Sequence, residues 1–292
     1  MDQRIINLFD EYTHGGMNRR SFLDRLASLA GGAAAASALL PLLENNYAQA
    51  LVIAENDARI TSETVQVPGV QGLSGYLVKP KAGGKHPAVL VIHENRGLNP
   101  HIKDVTRRVA TEGFLALGLD YLSPIGGTPA DEDKARDMIG TLKQPDVVAS
   151  GRAAVAFLEG HADGNGKAGA VGFCWGGAAV NNLAVADPNL DAGVAYYGRQ
   201  PPADQVANIK APLMLHYASL DEGINKGIPD YEAALKAAGK TYELHMYEGA
   251  NHAFNNDTNA ARYDKKAADL AWGRTVAFLK KHLAADGGAQ RS

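Results

Sequence analysis

Cys174 lies at the centre of Gly172-Phe173-Cys174-Trp175-Gly176-Gly177, directly after the apolar run Ala168–Phe173. A glycine two before and a glycine two after a potential nucleophile mark a tight strand-to-helix elbow. The turn holds the central residue in a strained backbone conformation, and bulk at either flank would block it. At the start of a helix the partial positive charge of the N-terminus favours a thiolate, so the placement suits a sulfur nucleophile. A lone free cysteine is more often a small buried hydrophobe. Here the paired glycines and the strand-to-helix context favour a chemical role.

A thiol nucleophile needs a base, and the base needs an acid to orient it. Chains with this elbow place the acid and then the histidine after the nucleophile. Of nine histidines, four follow Cys174. His216 and His245 fall inside predicted strands, and His282 on the terminal helix. His252 stands in Glu248-Gly249-Ala250-Asn251-His252-Ala253-Phe254, the loop after a strand, and is the candidate base. Asp221 follows the strand Pro212–Tyr217 by Ala218-Ser219-Leu220 and is the candidate acid, favoured over Glu222 and Asp230.

An earlier apolar run, Ala88–Ile92, leads into His93-Glu94-Asn95-Arg96-Gly97. The loop after such a strand supplies the second donor of an oxyanion hole. The expected pair is the backbone N–H of Trp175 and that of Asn95. Glu94 is unusual beside a thiol, where a carboxylate can keep the sulfur protonated until substrate arrives. A salt bridge to Arg96 or a structural cap is the plainer reading.

These loops must be held by strands. Thr61–Val67 and Gly72–Val78 read as early strands. Ala88–Ile92, Phe114–Leu119 and Ala168–Phe173 read as strands buried on both faces. Ala192–Tyr197, Pro212–Tyr217 and Tyr242–Tyr247 continue the series. Helices are expected at His101–Glu112, Asp131–Lys143, Asp146–Glu159, Gly176–Ala186, Tyr231–Ala238 and Lys265–Leu283. Alternation of this kind predicts an α/β fold with a mostly parallel central sheet and helices on both faces. Ligands of such sheets bind beyond the carboxyl ends of the strands, where Cys174, Asp221, His252 and Glu94 all fall.

Residues 1–50 stand apart from the domain expected over 51–292. Arg19-Arg20-Ser21-Phe22-Leu23 reads as a twin-arginine export motif, followed by an uncharged run from Leu26 to Leu43 and a small-x-small site at Ala48-Gln49-Ala50. That order implies a periplasmic or secreted protein. The alternative is a cytoplasmic chain with an uncleaved helical arm, for which Ile5, Ile6, Leu8 and Phe9 would form the docking face. Gly31, Gly32 and Pro41 make a stable membrane span a poor reading.

Composition narrows the function classes. The chain has 292 residues, a net charge of −3, 7% aromatics and a single cysteine. No basic excess points to a nucleic-acid partner. One cysteine forms no intrachain disulfide and no multi-cysteine zinc site. It also leaves no second thiol to resolve a sulfenic acid, which weakens a redox-sensor reading.

The motifs at 93–98, 172–177, 221 and 249–254 together resemble the dienelactone hydrolase (carboxymethylenebutenolidase) family of the α/β-hydrolase superfamily, over most of 55–285. Tyr12-x-His14-Gly15 and Arg20-x-Phe22-Leu23 are similar to one branch of that family. The resemblance implies a Cys174-Asp221-His252 triad that opens a small ester or lactone through an acyl-thioenzyme, with Glu94 restraining the resting thiol. It implies a small-molecule substrate and no metal or organic cofactor. The two arginines with which the family holds a substrate carboxylate have no counterpart at Tyr121-Leu122-Ser123-Pro124 or at Phe254-Asn255-Asn256. Arg96, Tyr121 and Arg199 are therefore the candidate substrate contacts. A general carboxylesterase or thioesterase, and a non-catalytic binding protein on the same fold, are the rival readings.

Overall fold

A computed structural model describes residues 1–49 and 51–285. Eight strands form one sheet in the order β1-β2-β4-β3-β5-β6-β7-β8. The strands are β1 Ile60–Gln66, β2 Ser74–Pro80, β3 His86–Ile92, β4 Leu115–Asp120, β5 Gly164–Phe173, β6 Ala192–Tyr196, β7 Leu213–Ala218 and β8 Tyr242–Tyr247. β2 pairs antiparallel with both β1 and β4, and every later pairing is parallel. The α/β architecture expected from the alternating pattern is the one observed.

Alternation along the strands explains why both faces are covered. In β3, Val89 and Val91 face one apolar layer while Ala88, Leu90 and Ile92 face the other. The first layer is closed by α4 (Pro100–Thr111), through Ile102, Val105 and Val109, and by α10 (Lys265–His282), through Phe278 and Leu279. The second is closed by α6 (Gln144–Glu159), α7 (Trp175–Ala186) and α9 (Ile228–Ala237), which contribute Leu158, Leu183 and Leu235. Strands buried on both sides must read as continuous apolar runs, which is why the sequence shows them as such.

The N-terminal segment forms α1 (Gln3–His14), α2 (Arg19–Ala30) and α3 (Ala33–Leu43). They make an apolar cluster of their own, built on Ile5, Leu8, Phe9, Tyr12, Phe22, Leu26 and Leu43, with Ala261 of the main domain against it. Polar ties fix this cap to the domain. Arg262 donates to Asp10 at 2.7 Å and stacks over the Phe9 ring, and the Tyr12 hydroxyl donates to Asp133 at 2.6 Å. Gln3 donates to Asn251 at 2.6 Å, and the Asn46 N–H to the Thr258 carbonyl at 2.8 Å. The segment that carries the twin-arginine-like motif thus packs on the domain as helices. Ala50 of the small-x-small site lies outside the described residues. Among the described residues no single helix is long and apolar enough to cross a membrane, although α2 and α3, bent by 113°, meet the length and composition together.

Candidate active site

β5 runs through the middle of the sheet and ends at Phe173, and α7 begins at Trp175. Cys174 between them has φ 56° and ψ −112°. A Cβ on Gly172 would collide with the Gly176 carbonyl, and one on Gly176 with the Ile92 carbonyl, so the elbow closes only with glycine at both places. The turn is pinned by the Cys174 N–H donating to the Tyr196 carbonyl at 3.0 Å. Among the described residues, three non-glycine positions have positive φ: Cys174, Tyr197 and Ala253. Cys174 and Tyr197 directly follow β5 and β6 and Ala253 lies in the loop after β8, all lining the cavities at the sulfur, and strained backbone concentrates in functional regions.

β7 and β8 lie side by side, and the loops after them are tied together. The Ser219 N–H donates to the Tyr247 carbonyl and the Leu220 N–H to the Ala250 carbonyl, each at 3.0 Å. This brings Asp221 to His252: Oδ2 lies 2.5 Å from Nδ1. A carboxylate accepts only, so Nδ1 carries a proton, and in the neutral ring Nε2 then offers a lone pair. Nε2 is buried and, among the described residues, has no partner at hydrogen-bond geometry. A ring nitrogen of His252 lies within 4.8 Å of the Cys174 sulfur. Burial works against the imidazolium, but the charges of Asp221 and of a Cys174 thiolate override it and hold the His252 pKa well above its ordinary value.

The N–H groups of Trp175 and Asn95 find no acceptor within the protein among the described residues, and both residues line the cavity in front of Cys174. The loop bearing Asn95 is held by His93. Its Nδ1–H donates to the Glu94 carbonyl at 2.6 Å, and its Nε2 accepts the Tyr121 N–H at 3.3 Å. The His93 ring stacks on Trp175 with centroids 5.3 Å apart, and Tyr121 meets Trp175 edge-on. Tyr121 is therefore buried behind Trp175 and lines no cavity next to the sulfur. It packs on His93 and Trp175 instead, and so braces the loop that carries Asn95.

The cavity over Cys174 has a volume of about 880 Å³ and is lined by Cys174, Trp175, Asn95, Asp221, His252 and Arg199 among others. Arg199 is exposed there. A second cavity of about 20 Å³ lies on the other side of the sulfur, lined by Glu94, Arg96, Arg262, Cys174 and His252. Glu94 Oε2 accepts from Asn256 at 2.8 Å, while Oε1 is buried without a protein partner. Arg96 does not line the large cavity. Its guanidinium donates to the Glu132 carbonyl at 2.9 Å and lies 3.5 Å from Asp133, so its charge is already engaged.

One residue at the sulfur was not singled out from the sequence as a candidate. His14, the last residue of α1, places Nε2 3.0 Å from Cys174 Sγ, and its ring meets His252 edge-on with centroids 4.5 Å apart. The only available signal was the Tyr12-x-His14-Gly15 pattern in a segment that also reads as removable. Among the described residues, His14, Cys174 and His252 are also the group of nitrogen and sulfur atoms best placed to compete for a soft divalent cation.

An eight-stranded, mostly parallel sheet with a nucleophile elbow at the end of its fifth strand and a histidine–aspartate pair beyond the seventh and eighth defines an α/β-hydrolase. The chain belongs to the dienelactone hydrolase family, whose model matches residues 73–283. Residues 1–32 match a second model, described as YqhI-like. A Methylorubrum extorquens protein provisionally named carboxymethylenebutenolidase is 32% identical over 255 residues, covering 80% of this chain and 86% of that protein. A Bradyrhizobium protein provisionally named 2-oxo-3-(5-oxofuran-2-ylidene)propanoate lactonase is 34% identical over 222 residues, covering 71% and 89%. The crystal structure of a provisionally titled dienelactone hydrolase from Klebsiella pneumoniae superposes with a TM-score of 0.68 at 29% identity, over 76% of this chain and 99% of that one. The protein is a hydrolase of the dienelactone hydrolase type.

Proposed function

We propose that the protein hydrolyses a small ester or lactone through a covalent acyl-cysteine intermediate. The observation that carries the reading is the 2.5 Å bond between Asp221 Oδ2 and His252 Nδ1, set beside a cysteine at the elbow. Asp221 fixes the tautomer in which Nε2 faces the sulfur side and accepts the thiol proton. The thiolate then attacks the carbonyl carbon, and the developing oxyanion is met by the N–H groups of Trp175 and Asn95. The imidazolium of His252 returns its proton to the leaving alkoxide, which in a lactone stays tethered to the acyl group. In the second half, His252 takes a proton from water as that water attacks the thioester. The free enzyme is then restored, with the acid released.

Anionic substrates are served differently from the family pattern. Arg199 is the exposed cation on the large cavity, whereas Arg96 is engaged by the acidic side of α5 (Glu132–Thr141). We propose Arg199 as the contact to a substrate carboxylate and Glu94 as a carboxylate that acts within the inner cavity. A hydrolysis screen over enol-lactones, p-nitrophenyl esters and thioesters tests the reading, with intact-mass detection of an acyl adduct on Cys174. Turnover of an ester or lactone with an adduct on Cys174 supports it. Thioester turnover alone would favour the thioesterase reading. An inert thiol with no turnover anywhere would favour a binding protein.

A further inference from the structure

The sulfur of Cys174 has a close contact besides the His252 ring, which lies within 4.8 Å of it. That contact is Nε2 of His14, at 3.0 Å. The other nitrogen of that ring, Nδ1, lies 3.0 Å from the Asp10 carbonyl oxygen and 3.0 Å from the Thr13 hydroxyl. A carbonyl oxygen only accepts, so Nδ1 carries a proton, and in the neutral ring Nε2 presents a lone pair. The bond to sulfur therefore runs from a neutral S–H to Nε2. We propose that His14 holds Cys174 as a neutral thiol at rest, and that catalysis starts when the thiol turns from His14 to His252, which makes α1 a working part of the active site. The inference rests on the reading of Cys174 as the nucleophile.

His14 is held for this task rather than brought there by chance. Its α1 neighbours are tied to the domain on either side of the ring. Asp10 receives Arg262 at 2.7 Å, and the Thr13 carbonyl receives the Asn95 side chain at 2.7 Å. The second tie joins α1 to the residue whose N–H is an expected oxyanion donor, so docking of the helix and shaping of that loop are coupled.

The charged and titratable groups near the sulfur come from every surrounding element. His14 faces it from α1, Glu94 from the loop after β3, and Tyr197 from the end of β6. His252 and Arg262 come from the segment after β8, with Asp221 behind His252 and Arg96 beyond Glu94. His14 keeps exposed surface, yet its desolvation beside the site and the positive charges of His252, Arg262 and Arg96 push its pKa below the ordinary value. Against the cost of burial, Asp221 and an ionised Cys174 hold His252 well above it. A thiol bonded to the weak base keeps its proton. The same thiol turned to the strong base gives it up, leaving thiolate and imidazolium. Two imidazoles of opposite basicity, with ligand atoms within 4.8 Å of the sulfur and of each other, define a resting and a working position.

Because Cys174 is the sole cysteine, iodoacetamide reports on it alone. The experiment measures the rate of Cys174 alkylation and of ester hydrolysis from pH 5 to pH 10, in the full-length wild type, His14→Leu, His14→Gln and Glu94→Gln. Leucine removes the acceptor, so the half-maximal alkylation pH should fall by about one unit, a roughly tenfold gain in rate at low pH. Glutamine keeps an acceptor oxygen at the same place and should restore the wild-type profile. Glu94→Gln removes a negative charge that faces the sulfur without bonding to it, so its shift should be smaller than that of His14→Leu; a larger shift overturns the inference. An unchanged or raised midpoint in His14→Leu overturns the inference. So does an equal shift in both His14 variants, which would make the effect one of α1 docking rather than of the bond. Cys174→Ala separates the two levels of the account: if it still turns over substrate, the nucleophile reading itself fails. If it is inactive while His14→Leu titrates as wild type, only the role of His14 fails.

Discussion

Asp221 and His252 are joined by a 2.5 Å contact between Oδ2 and Nδ1, although 31 residues separate them in the chain. The contact exists because β7 and β8 are neighbours in the sheet and their following loops share backbone hydrogen bonds. Its chemical effect is to choose the tautomer of His252. In Asp221→Asn the amide can present its NH₂ to Nδ1 and leave the proton on Nε2, the wrong side for a base. Ester hydrolysis should fall by about three orders of magnitude with little change in KM. Steady-state kinetics checks this, and a loss below tenfold would remove Asp221 from the mechanism.

The elbow depends on two missing side chains. Gly172→Ala would drive a methyl group into the Gly176 carbonyl, backbone that cannot yield without reopening the turn. We expect a loss of about 1–3 kcal/mol in urea denaturation, as for other overpacked sites. Activity should fall further than folding does, because the shift displaces Cys174 directly. Normal stability with normal turnover would contradict the strained elbow.

Docking of the N-terminal cap has one sensitive anchor. Arg262 is buried, donates to Asp10 at 2.7 Å and lies over Phe9. Arg262→Ala should loosen α1 and open it to limited proteolysis, with a stability loss of about 1–3 kcal/mol from the abandoned partner. Since the cap brings His14 to the sulfur, the protein isolated from its native host should keep these helices. Mass spectrometry of that protein decides the point. A mature chain starting near Leu51 would instead support twin-arginine export with cleavage, and the working enzyme would then lack His14.

The fold carries a second buried histidine with a pH signature. His216 bonds to the Tyr247 hydroxyl at 2.9 Å and the Thr275 hydroxyl at 3.1 Å, and burial, with His245 and Arg274 nearby, pushes its pKa well below 6.5. As pH falls through the ordinary histidine range, the unfolded chain takes up a proton there and the folded chain does not. Stability is then lost with falling pH. His216→Gln removes this proton uptake. The stability gap between wild type and variant should narrow by about 1.4 kcal/mol for each pH unit below about 6.5. Urea melts at pH 7.5 and pH 5.5 measure it, and a constant gap would show that His216 is protonated in the folded state.

Much of this architecture was legible in the sequence because burial writes itself as apolar runs. Ala88–Ile92 and Ala168–Phe173 fall inside β3 and β5. β5 starts earlier, at Gly164, because Asn165 and Lys167 lie beyond the apolar layer. Asp221 and His252 were readable for the same reason, as polar residues following strand ends in the expected chain order. His14 was not. The chain-order rule looks only downstream of the nucleophile, and nothing local to α1 states where it docks. Tyr121 and Arg96 were readable as polar groups near strand ends. Their directions, toward Trp175 and toward Asp133, depend on packing between distant segments.

The central claim is that Cys174 is the nucleophile, and the most direct test compares pH–rate profiles and intact masses for wild type, Cys174→Ser and Cys174→Ala on one activated ester. Wild type should show a transient acyl adduct on Cys174. The serine variant should lose about two to four orders of magnitude in kcat/KM, since its hydroxyl ionises far less readily than a thiol beside the same imidazole. The alanine variant should retain only the residual rate due to binding and the oxyanion donors. Wild-type turnover in Cys174→Ala, or an acyl adduct on any other residue, would contradict the account.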